Sequence, residues 1–221
     1  MNATARTRPT GAAPVPHAGL ITGLPAWPEP GDLHHRSILI VDIEDSDSRP
    51  DNIKALHRAE VRQIVMGSIA DTGITPDRYD WPADTGDGLR VLLAPAVPKN
   101  RLAGPLISAL TKRLVSCNAT APDGAHMRLR AVLSAGELRK DSYDYFGSPL
   151  NEAYWLLNSD ELRTCLSKTT APMALIVSDI IYDGVVRHGY PQIDPGMFEM
   201  RVVKHKKRDV RVWVCFPQPV D

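Results

Sequence analysis

The chain has 221 residues, enough for one domain with a tail and too few for two full domains. Hydrophobic residues make up 43%, which supports a sizeable core, and 26 basic residues balance 26 acidic ones, so the basic excess of a nucleic-acid binder is missing. Three scattered cysteines argue against a disulfide framework, and there is neither a signal-peptide core nor an apolar run of the roughly 18 residues a membrane helix needs. A soluble cytoplasmic protein is expected, with no membrane and no nucleic acid among its partners.

Residues 1–35 are rich in Pro, Ala, Gly and Thr without apolar periodicity, which predicts a disordered tail. A domain over 36–217 and a short tail over 218–221 follow. Order is expected from Ser37, where the β-branched run 37–43 reads as a buried strand. After a polar loop, Ile53, Leu56, Val61, Ile64, Val65 and Ile69 recur at helical spacing, and Gly73 stops the helix. Segments 78–82 and 88–94 read as two strands around a turn containing Gly86, Asp87 and Gly88. Leu102, Leu106, Leu110 and Leu114 mark one face of a second helix, and 126–134 alternates as a strand. A polar loop is predicted over 136–147, then short helices over 149–157 and 159–167, and a strand over 173–177. Residues 179–188 read as helical, and 198–204 and 210–216 as closing strands. The class is α+β, with a ferredoxin-like βαββαβ core whose helices pack on one face of an antiparallel sheet.

Two acids stand out. Asp42 ends a buried strand and Asp87 sits at a hairpin tip between two glycines. In a split βαβ sheet the first strand lies beside that hairpin, so the carboxylates converge on one edge, where hard Mg²⁺ or Mn²⁺ is the fitting cation. The main-chain carbonyl of Ile43 adds a possible ligand. On spacing alone the more ordinary reading is conformational, because Asp is common at strand ends and in Asp-Gly turns for local reasons. The histidines make no metal spacing with any cysteine, and the run Lys204 to Arg208 reads either as a solvated strand end or as a phosphate contact.

Five segments in order resemble the class III adenylyl/guanylyl cyclase family: Ile-Leu-Ile-Val-Asp-Ile-Glu (38–44), Thr-Gly-Asp-Gly (85–88), Leu-Arg-Ala-Val-Leu-Ser-Ala-Gly-Glu (129–137), Asp-Tyr-Phe-Gly-Ser-Pro-Leu-Asn-Glu-Ala (144–153) and Val-Lys-His-Lys-Lys (203–207). The resemblance covers about 36–216 and extends to small stand-alone actinobacterial members. It implies a cyclase that converts a nucleoside triphosphate to a 3′,5′-cyclic nucleotide and pyrophosphate. Asp42, Ile43 and Asp87 would hold two Mg²⁺ or Mn²⁺. The loop with Ser46 and Ser48 would meet the phosphates, Asp144 the base, Asn151 the ribose and Lys206 a phosphate. Because the metal and base sides come from opposite subunits in this family, a homodimer with composite sites is implied.

The chain departs from the family at three places. Trp155 stands where an Arg usually stabilises the transition state, a loss of typically about 10²–10³ in rate. Ala83 replaces a base-reading Lys, and Asp45-Ser46-Asp47 replaces a Gly-Phe-Thr/Ser loop. Arg139, Lys140 and Arg163 are nearby cations with no assigned place. The rival expectation is a catalytically degenerate module that binds nucleotide or a protein partner.

Overall fold

The computed structural model describes residues 33–205 and 208–218. The expectations for 1–32, for Lys206 and for 219–221 lie outside the described residues. Within them an eight-stranded mixed sheet carries helices on both faces. In chain order the elements are β1 (Leu33–Ile43), α1 (Asp51–Asp71), β2 (Ala83–Asp84), β3 (Gly88–Leu93) and α2 (Lys99–Arg101). A π-helical turn (Leu102–Leu106) joins α2 to α3 (Ile107–Thr120), followed by β4 (Leu129–Lys140), β5 (Tyr145–Phe146), α4 (Ser148–Leu157) and α5 (Asp160–Ser167). The domain closes with β6 (Met173–Ser178), α6 (Asp179–Gly184), β7 (Glu199–His205) and β8 (Arg208–Cys215).

The strand order is β2-β3-β1-β4-β6-β8-β7, with β5 paired to β4. Its first four strands pair antiparallel, neighbour to neighbour, and form the ferredoxin-like core. β6 then joins β4 in parallel, so the sheet is mixed where an antiparallel one was predicted. The apolar run in β1 follows from double-sided burial. Leu39, Val41 and Ile43 face Val61, Val65 and the four leucines of the second helix, while Ile38 and Ile40 face Leu150, Leu156, Leu162 and Leu166 of α4 and α5. Helices therefore cover both faces, not one. Pro105 lies inside the second helix, where its missing N–H and ring clash with the preceding turn account for the π-helical step.

Three predicted boundaries shift for tertiary reasons. β1 begins at Leu33, four residues ahead of Ser37 and inside the predicted tail, because β4 pairs with it as far as Leu33↔Arg139. Arg36 anchors that end: its Nε donates to Asp80 at 2.8 Å and its Nη2 to the Tyr145 hydroxyl at 2.6 Å. β4 runs to Lys140 and β5 returns at 145–146, so the predicted loop over 136–147 shrinks to four residues, 141–144. The strand before the hairpin is Ala83–Asp84; Arg78 ends a 3-10 turn, and the predicted strand over 78–82 keeps only a bridge from Tyr79 to Leu93 and the bond from Asp80 N–H to Leu92 O at 2.9 Å. Among the described residues no helix is long and apolar enough to cross a membrane.

Candidate functional site

β1 and β3 set the two acids side by side. Asp42 is in register with Gly88, and Ile43 N–H donates to Asp87 O at 3.3 Å. Gly88 is needed for this: a Cβ there would lie 2.0 Å from Val41 O and 2.9 Å from the Asp42 Cα. The turn before it is shaped by Gly86 at φ 94°, whose N–H is held by Asp84 Oδ1 at 2.8 Å.

Asp42 is largely buried and ion-paired with Arg130, its cross-strand neighbour on β4. Burial raises its pKa, the Arg130 guanidinium pulls it back, and the charge of Asp87 pushes it up again, leaving it above the ordinary carboxylate range. Arg130 Nε is buried without a partner, so the arginine is committed to Asp42 through Nη2 alone.

Asp87 and Arg130 line a cleft of about 520 Å³, with Asp42 reaching it only as the ion-pair partner of Arg130. One wall is the loop Ile43 to Asp47, including the buried Ser46; the other is α5, which presents Arg163, Thr164 and Ser167. Asp45 sits in the left-handed region at φ 55° and receives a hydrogen bond from Ser48 Oγ at 2.8 Å. The Ser48 hydroxyl is thus spent inside the loop, and Ser48 does not line the cleft. Arg128 fastens the two walls: it pairs with Glu44 at 2.7 Å and donates to Leu166 O at 3.1 Å and Thr169 O at 2.7 Å.

Asp144 and Asn151 are elsewhere. Asp144 follows β4 and accepts from Arg90 Nη2 at 2.7 Å and from Tyr145 N–H at 2.7 Å. Burial alone pushes its pKa up; the bonds from Arg90 and the Tyr145 amide outweigh that and hold it below the ordinary range. Arg90 is buried on β3 and also meets Tyr154. Asn151 is exposed in the first turn of α4, with its N–H bonded to Gly147 O at 3.1 Å. Neither residue lines the carboxylate cleft. Trp155 lies on the same helix, beside Val202, Val203 and Lys204 of β7.

Arg90 and Arg130 were not picked out from the sequence. The signal was there: each is a single charge inside an apolar strand, Leu89 to Leu93 and Leu129 to Leu133, and a charge so placed needs a partner. Arg163 had no place in the sequence reading and now has one.

The geometry has solved counterparts. The chain superposes on an adenylate/guanylate cyclase/hydrolase from Silicibacter pomeroyi with a TM-score of 0.58 at 18% identity, covering 84% of this chain and 98% of that one. It matches the guanylyl cyclase Cya2 at 0.56 and 15% identity, over 84% and 92% of the two chains. It matches the adenylyl cyclase CyaB from P. aeruginosa at 0.56 and 13% identity, over 84% and 95%. The fold is that of the adenylyl and guanylyl cyclase domains. No family model and no curated protein sequence matches the chain, so this likeness is one of structure.

As for cations, the donors that β1 and β3 bring together are hard oxygens, the Asp42 and Asp87 carboxylates and main-chain carbonyls, the chemistry that Mg²⁺ and Mn²⁺ prefer. Among the described residues no three His, Cys, Asp or Glu side chains converge to hold an ion by themselves. Two carboxylates fit a metal whose remaining positions are filled by phosphate oxygens and water.

Proposed function

We propose that this domain is a metal-dependent nucleotide cyclase that joins the ribose 3′-hydroxyl of a nucleoside triphosphate to its own α-phosphorus and releases pyrophosphate. The observation that carries this is the Asp42–Asp87 pair, brought together by the β1–β3 register beside a cleft of about 520 Å³ that Asp87 lines. Asp42, Asp87 and the Ile43 carbonyl are the residues to hold two Mg²⁺ or Mn²⁺. Two such ions, when bound, supply positive charge to the attacking and leaving oxygens. Ser46 and the amides of its loop face the phosphates. Asp144, kept ionised by Arg90, accepts from an N–H of the base, and Asn151 orients the ribose. Because these two stand outside the cleft of their own chain, they serve the cleft of a second copy, which makes the working unit a homodimer with two composite sites.

A second reading has its own support. Arg130 already neutralises Asp42, Arg90 already neutralises Asp144, and Trp155 stands where a cation is expected. A domain that binds nucleotide without turning it over fits those pairings. The two are separated by incubating the purified protein with each ribonucleoside triphosphate and Mn²⁺ and reading products by mass spectrometry. Cyclic product that disappears in Asp87→Asn supports the cyclase. Metal-dependent nucleotide binding without product supports the binding module, and absence of both refutes the two together.

A further inference from the structure

The cleft has an electrostatic imbalance. Among the described residues Glu44, Asp45, Asp47 and Asp87 line it against two guanidinium groups, Arg130 and Arg163. Arg130 is taken by Asp42, and Glu44 by Arg128. A polyanion entering between these acids meets repulsion unless cations answer it. Arg163 is the cleft cation least committed elsewhere: its carboxylate neighbour Asp160, one turn back on the same helix, is 4.0 Å away, and Asn158 Oδ1 is at 3.5 Å. An exposed pair of that kind is worth little, so it holds the guanidinium only loosely.

The helix that carries Arg163 is firmly placed. Ser159 caps it by accepting from Leu162 N–H at 3.3 Å, and Leu162 and Leu166 are fully buried against the sheet. Its far end is bolted to the Asp42 loop through Arg128, and Arg201 pairs with Glu161 on its flank at 3.2 Å. Helical spacing then turns Arg163, Thr164 and Ser167 to the cleft as one face.

Resting on the cyclase reading above, we propose that α5 is a polyphosphate-binding wall, with Arg163 the side chain that meets the β- and γ-phosphates of a triphosphate held by Asp42 and Asp87 of the same chain. A guanidinium matches phosphate oxygens bidentately, and the Thr164 hydroxyl adds a neutral donor beside it, while Ser167 Oγ donates back to Thr164 O at 3.0 Å. The charge that Trp155 does not supply from α4 enters the cleft from α5.

Inorganic tripolyphosphate, which has neither base nor ribose, isolates this subsite. Its affinity is measured by calorimetry with Mg²⁺ for the wild type, Arg163→Ala, Arg163→Lys and Asp87→Asn, alongside Mn²⁺ affinity without polyphosphate and thermal melting. Arg163→Ala is expected to weaken tripolyphosphate about 10- to 100-fold, the range for a lost charge-assisted hydrogen bond, with melting unchanged and Mn²⁺ affinity no weaker, since Arg163 is a positive charge near Asp42. Arg163→Lys falls between the two. If Arg163→Ala binds like the wild type while Asp87→Asn loses binding, the α5 assignment is wrong and the carboxylate site stands. If Arg163→Ala weakens binding and Asp87→Asn does not, α5 binds phosphate and the metal reading fails. A wild type that ignores tripolyphosphate at millimolar Mg²⁺ overturns both.

Discussion

Replacing Gly88 by alanine tests how the two acids are held together. The new Cβ would stand 2.0 Å from the Val41 carbonyl oxygen and 2.9 Å from the Asp42 Cα, both backbone atoms that no rotamer change can clear. Bringing the first contact to a bearable distance separates β1 from β3 by about 1 Å at this point. Overpacking of this kind costs about 1–3 kcal/mol, and losing the Ile43–Asp87 backbone bond adds about 1 kcal/mol. The expected loss is about 2–4 kcal/mol, or about 5–15 °C in Tm for a domain of this size. A displacement of about 1 Å between the carboxylates also costs about 100-fold in any rate that depends on both. Gly86→Ala is the control: its Cβ meets nothing within 4 Å, so it carries only the left-handed backbone penalty, about 1 kcal/mol. Calorimetric melting and Mn²⁺ titration of both variants decide the matter. A Gly88→Ala protein that melts no lower than Gly86→Ala and keeps its Mn²⁺ affinity refutes the close-approach argument.

Three further outcomes are expected. Arg90→Met removes the guanidinium that, with the Tyr145 amide, outweighs burial at Asp144, so the Asp144 pKa rises; NMR titration of the carboxyl reads it. The sign follows for stability: a carboxyl depressed in the folded state stabilises above its unfolded pKa and loses that contribution as pH falls through the folded value, so acid unfolding of the variant loses this part of its pH dependence. Leu110→Ala, at a fully buried position between α1 and the sheet, lowers stability by about 3–5 kcal/mol, seen as a lower urea midpoint at unchanged slope. Arg36→Ala cuts β1 from Asp80 and Tyr145, which keep their own bond at 3.1 Å, and hydrogen exchange at residues 33–36 accelerates ahead of the rest of β1.

The legible parts of the chain were those governed by local periodicity. The leucine ladder 102–114 gave its helix because the 3.6-residue repeat is written in the residues themselves, and the β-branched run 37–43 gave its strand for the same reason. The first four strands of the sheet were legible too, since βαββαβ order with short connections leaves few topologies open. Illegible were features that depend on a partner far along the chain. Leu33 to Arg36 carry no strand pattern and are strand only because β4 runs on beside them. Helix placement on both faces was not foreseen, although the uninterrupted apolar run in β1 implies it.

The candidate site divides along the same line. Sequence by itself put Asp42 and Asp87 at one end of neighbouring strands, because strand order and a glycine-flanked turn are local facts. Only the tertiary structure decided who answers each charge: Arg130 on Asp42, Arg90 on Asp144, Arg128 across Glu44 and α5, and Arg163 at the cleft. The first three pairings span 88, 54 and 84 residues, and Arg163 lies 76 positions beyond Asp87. No periodicity records a distance of that length. It is set by register and packing, since a charge drawn into an apolar sheet is tolerable only where the fold brings an opposite charge to meet it.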